Sequence, residues 1–128
     1  MNKVMVFLDA IRDHLDLHQL PPVASVKVTS MSDPIAVQLD VDGLADVARA
    51  LLVWANTLEV VTASLWRVPS GERVHLHVAG RTPCGVPVEI YSGVAFSEDV
   101  FPDLPAGARQ DMPVFVLRGW ADGGEVAA

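Results

Sequence analysis

The chain has 128 residues, with sixteen acidic against nine basic side chains and a formal charge of −7, a balance that opposes direct binding to nucleic acid through the phosphate backbone. That length makes one domain, 1–128, large enough to bury a core without metals or disulfides. A lone Cys84 cannot pair within the chain and indicates a reducing, cytoplasmic setting, while the apolar stretch after Lys3 is broken by Asp9, Arg12 and Asp13, too early for a signal peptide or a membrane span.

Val4, Phe7, Leu8, Ile11 and Leu15 recur at spacings of three and four, which predicts an amphipathic helix from Lys3 to Leu17. Pro21 and Pro22 end it. Val23 to Ser30 and Ile35 to Val41 alternate apolar and polar residues, the pattern of two strands. A connection through Met31, Ser32, Asp33 and Pro34 places Ser30 opposite Ile35 and Val28 opposite Val37. Asp42 is the expected cap of a second helix, Gly43 to Leu58. Its wide apolar face runs through Leu44, Val47, Leu51 and Leu58, with Trp54 at the margin.

The stretch Val60 to Ala95 organises the chain, because it holds three runs of two-residue period separated by Val68-Pro69-Ser70-Gly71 and Thr82-Pro83-Cys84-Gly85. This is the pattern of an antiparallel meander. Treating Gly85 as a left-handed bulge residue puts Val78 opposite Ile90, His77 opposite Tyr91 and Glu89 opposite Ala79. The same treatment of Gly71 puts Trp66 opposite Val74, in the core, and Ala63 in a row with His77 and Tyr91. Beyond Phe96 the pattern weakens: Pro102 and Pro105 suggest a surface crossing to Gln110, Val114 to Leu117 a short last strand, and the sequence from about residue 121 a weakly ordered tail.

The expected fold is therefore α+β, in the order α-β-β-α-β-β-β, with a mostly antiparallel five- or six-stranded sheet and two helices on one face. His75 and His77 share a strand face with Tyr91 and Glu89. Two imidazoles and a carboxylate suggest a metal, but the predicted register keeps Glu89 away from His75, so no metal and no cofactor are expected. An enzymatic or small-molecule reading uses this face with His77 as base, Tyr91 as donor, Glu89 beside them and His75 and Arg81 binding the ligand. Cys84 lacks a neighbouring histidine, and no glycine run precedes a Lys-Ser or Lys-Thr pair, so neither a cysteine nucleophile nor a phosphate loop is present.

The segment Val74 to Val94, VHLHVAGRTPCGVPVEIYSGV, together with Leu20, Pro21, Pro22 and Val23, resembles small uncharacterised proteins of actinobacteria and their phages or integrated elements. Seven arginines against two lysines, with abundant Ala and Val, fit a high-GC genome. The resemblance implies a genomic setting and no activity. The leading functional expectation is a non-catalytic intracellular accessory protein that binds another protein as a homodimer, with Val53, Trp54, Val61, Leu65 and Trp120 as interface residues. A third reading, an acidic interference protein of a mobile element, rests on the net charge alone.

Overall fold

A computed structural model describes residues 3–29 and 34–122. The elements are α1 (Lys3–Leu17), β1 (Val23–Lys27), β2 (Ile35–Leu39), α2 (Leu44–Ala55), β3 (Glu59–Arg67), β4 (Arg73–Arg81), β5 (Pro87–Ala95), β6 (Arg109–Met112) and α3 (Phe115–Ala121). The six strands form one sheet in the order β1-β2-β5-β4-β3-β6. β2 runs parallel to β5 and every other neighbouring pair is antiparallel. Among the described residues no helix is long and apolar enough to cross a membrane.

The two-residue period of β4 sets the layers. Val74, Leu76 and Val78 are fully buried and meet Leu65, Ile90 and Val94 on the same side. Phe7 and Ile11 of α1, Val47, Leu51 and Trp54 of α2 and Leu117 of α3 close over them in one apolar cluster. Each such side chain contributes about 1.5–3 kcal/mol by leaving water. The opposite side of the sheet carries no helix among the described residues.

Three helices are present among the described residues where two were expected; the sheet has six strands and is mostly antiparallel, as expected, but the β2–β5 pair makes it mixed. Val114 to Leu117 is not a strand: Leu117 and Ala121, four residues apart, are both buried, a helical spacing that Pro113 permits because it precedes the first turn. The last strand lies in the segment expected to be irregular, where Arg109–Met112 pairs with Ala63 to Trp66. The parallel pair arises because β5 inserts between β2 and β4, a choice that face matching inside each hairpin does not address.

Two registers also differ. Val26, not Val28, lies opposite Val37; a slip of two residues keeps every side chain on its face. The predicted Ser30–Ile35 pair, the connection at Met31, Ser32 and Asp33 and the tail after residue 122 lie outside the described residues. In the β3–β4 hairpin the last pair is Val68 with Arg73, closed by Val68 N–H donating to the Arg73 carbonyl at 3.0 Å. Four residues then form the loop, and Trp66 faces His75 while Ser64 faces His77. This one-residue difference moves Trp66 out of the core. The β4–β5 register is the predicted one, with His77 opposite Tyr91, Val78 opposite Ile90 and Glu89 opposite Ala79, because Gly85 takes φ 92° and Thr82 N–H reaches the Val86 carbonyl at 2.9 Å, a turn that a residue with Cβ rarely adopts.

Two local expectations on α2 are also corrected. Asp42 does not cap the helix; Gly43 occupies that position at φ 88° without a side-chain cap bond. Trp54 is not marginal but fully buried, stacked on His14 with ring centroids 5.6 Å apart. Its indole Nε1–H has no acceptor, a cost of about 1–3 kcal/mol for a buried donor. Replacing Trp54 by Phe removes that donor while keeping most of the volume, so stability by urea unfolding is expected to stay within about 1 kcal/mol of wild type. Trp54→Ala, which leaves a cavity, is expected to cost about 3–5 kcal/mol.

Candidate functional site

The helix-free face is built on β4 and β5. His75 and His77, two residues apart, both project from it, and Tyr91 stands opposite His77. The position opposite His75 is Gly93; a Cβ there would come within 3.2 Å of Arg73 Nε and 3.4 Å of His75 Cδ2. Glycine leaves that space to the two side chains. Both imidazoles lie nearly parallel to the Tyr91 ring, with centroids 5.7 Å away for His75 and 5.5 Å for His77. Trp66 meets His75 edge to face at 5.3 Å. The four rings form a continuous aromatic row across three strands, each half-buried.

Charged groups join the row from its flank. His77 Nδ1 lies 3.1 Å from Glu89 Oε2, and Arg109 of β6 reaches across β3 and β4 to the same oxygen at 3.7 Å. Arg109 also donates to Ser64 Oγ at 3.1 Å. The contact with His77 is the main cause that holds the Glu89 carboxyl below the usual range; burial opposes it, and Arg109 adds to it. Burial, with the charges of His77 and Arg73 behind it, lowers His75.

Both ring nitrogens of His77 are shut off from solvent and neither makes a well-directed hydrogen bond, while Nδ1 faces the Glu89 carboxylate. Arg81 lies on the same face but at its rim, donating to the Gly85 carbonyl at 3.3 Å, and does not join the rings. Among the described residues no group of three or more His, Cys, Asp or Glu is placed to hold a metal.

The remaining candidates separate in the same way. His14, near the C-terminal end of α1, is buried, and the His18 ring lies tilted against it with centroids 4.6 Å apart. Thr57 Oγ1 spends its proton on the Trp54 carbonyl at 2.7 Å, so the 2.7 Å contact between His14 Nε2 and Thr57 Oγ1 has the imidazole donating. Burial, then the charge of His18, lowers the His14 pKa. Of the expected interface residues, Leu65 is buried with Trp54 in the core, Val61 is half-buried, Val53 is exposed, and Trp120 packs edge-on against Phe101 at 5.5 Å. Cys84 is exposed in its turn, 3.1 Å from Thr82 Oγ1.

Sequence reasoning did not assign Trp66, Gly93, Arg109 or Ser64 to this face. The clue for Trp66 was the length of the Pro69–Glu72 loop; Arg109 had no signal, since its strand is only four residues long. Comparison with known families, with curated proteins and with solved structures finds no match to this chain.

The pH dependence of stability follows from these groups. His14 and His75 lie below the ordinary 6.5, so the folded chain binds fewer protons than the unfolded one and their contribution is complete above about pH 6.5 and falls as pH drops below it. Glu89 lies below 4.5; its contribution is complete above that value and is lost as pH falls through its lower folded pKa. Urea unfolding across a pH series is expected to show a shallower decline just below pH 6.5 in His75→Gln than in wild type. Glu89→Gln is expected to leave that region unchanged and to flatten the decline below pH 4.5.

Proposed function

We propose that the chain is a non-catalytic intracellular accessory protein that works as a homodimer and binds another protein through the helix-free face of its sheet. The observation that carries this reading is the unroofed row of Trp66, His75, Tyr91 and His77, whose ring stacking holds large side chains rigid at the centre of an open surface. Centres of protein interfaces are enriched in Trp and Tyr, and Arg, here Arg73 and Arg109, commonly flanks them. Rigid aromatic groups lose little conformational freedom on binding.

Charge narrows the partner. Lys27, Arg73, Arg81 and Arg109 project from this face or its rim beside Glu59, Glu89 and Asp111, and Asp40 and Asp42 line a hollow with Arg73 and His75, so its charges nearly balance. The complementary surface is a near-neutral protein. The buried nitrogens of His77 weigh against an enzymatic use.

Light scattering after size exclusion is expected to give the mass of two chains at micromolar concentration. A monomer at every concentration that also retains no protein in a pull-down from its source would overturn the reading. Once a partner is in hand, Trp66→Ala is expected to weaken binding by about 30-fold or more, as for a central aromatic anchor, with an unchanged circular dichroism spectrum.

A further inference from the structure

The sheet has two outer edges, and they differ. β1 is interrupted by a register shift between Val23 and Ser25, carries Lys27 and follows Pro21 and Pro22. These features block the addition of another strand. β6 is short, carries Arg109 and Asp111 and ends before Pro113, but its four residues pair with β3 in unbroken register and Arg109, Gln110 and Asp111 are all exposed.

The direction of each backbone group along β6 can be derived. The Ala108 carbonyl accepts from Arg67 N–H at 2.9 Å, so Ala108 turns its carbonyl toward β3. Backbone groups in an antiparallel pair alternate in direction. Gln110 and Met112 therefore bond to β3, and Arg109 and Asp111 turn their N–H and C=O groups outward. Those groups are open to water or to an added strand.

Only one self-pairing satisfies them. For two β6 strands to meet antiparallel, outward-facing residues must be paired with outward-facing residues, which leaves three registers. Arg109 opposite Arg109 sets like charges together, and so does Asp111 opposite Asp111. The third register is centred on Gln110. It places Arg109 of each chain opposite Asp111 of the other, uses every outward group of both residues, and pairs opposite charges twice. Asp111 has no ionic partner within its own chain among the described residues, and the Arg109 side chain, 55% exposed, exchanges its 3.7 Å contact with Glu89 for Asp111 of the other chain.

Resting on the homodimer reading above, we infer that β6 is the seam of the dimer, with two copies paired antiparallel about Gln110 into one continuous twelve-stranded sheet. A hollow of about 390 Å³ lined by Val61, Ala63, Met112 and Val114 opens beside the seam, and Phe115 is 68% exposed next to it. These apolar groups supply the burial that a short strand lacks. The twofold arrangement is closed, and it places the two aromatic rows on one extended face, free for the partner.

The test is charge exchange across the seam. Asp111→Arg sets Arg against Arg at both pairs and Arg109→Asp sets Asp against Asp, so each variant alone is expected to raise the dimer dissociation constant at least about tenfold. Mixed together, the two variants pair Asp only with Arg, and a heterodimer near wild-type affinity is expected. Recovery on mixing also shows that neither variant is misfolded. In the wild-type dimer, the N–H groups of Arg109 and Asp111 are expected to exchange with solvent more slowly than after dilution to monomer. Wild-type dimers whose single variants dimerise as well as wild type, or whose mixture shows no recovery, would overturn the seam and leave the homodimer standing. A wild-type monomer at all concentrations would overturn both.

Discussion

The alternation of side chains along β4 is the constraint on which the rest of the structure depends. Val74, Leu76 and Val78 point to the helices and are fully buried, while His75 and His77 point to the other side. Because successive residues of a strand must face opposite ways, the same nine residues build the floor of the core and the centre of the open face. A slip of one residue would send both imidazoles under α2 and three aliphatic side chains into water. Each misplaced polar group would cost roughly 1–3 kcal/mol. β4 therefore fixes the register of β5 and the position of Tyr91.

Two imidazoles in contact with aromatic rings, buried His14 and half-buried His77, show what the helices contribute. His14 sits beneath the helical layer and is satisfied, because its proton passes to Thr57, whose own proton passes to the Trp54 carbonyl. His77 sits on the open face without a directed hydrogen bond and leans on Glu89 and Tyr91 instead. The helical layer is not free of such groups either, since the Trp54 indole N–H beside His14 has no acceptor.

Much of the local architecture was legible. The bounds of α1, the faces of β4 and β5 and the turn at Gly85 follow from periodicity and from the backbone freedom of one glycine. Legibility failed where two elements compete for the same pattern. Val114 to Leu117 reads equally well as an apolar strand or as the buried stripe of a helix, and its packing against α2 decided the matter. The loop at Pro69 accepts either of two lengths, and the choice sent Trp66 to the open face. The four residues of β6 carry no periodicity long enough to detect; they are a strand because β3 offers an unpaired edge to them.

By itself the sequence determined the composition of each face: which residues of the meander are apolar, and that His75, His77, Glu89 and Tyr91 share a side. These follow from a two-residue period that any pleated strand obeys. Only the tertiary structure decided that β5 lies parallel to β2, that Trp54 is core and Trp66 is not, and that Arg109 crosses two strands to reach Glu89. Each of those depends on contacts between segments distant in the chain, where the energy of packing overrides local pattern.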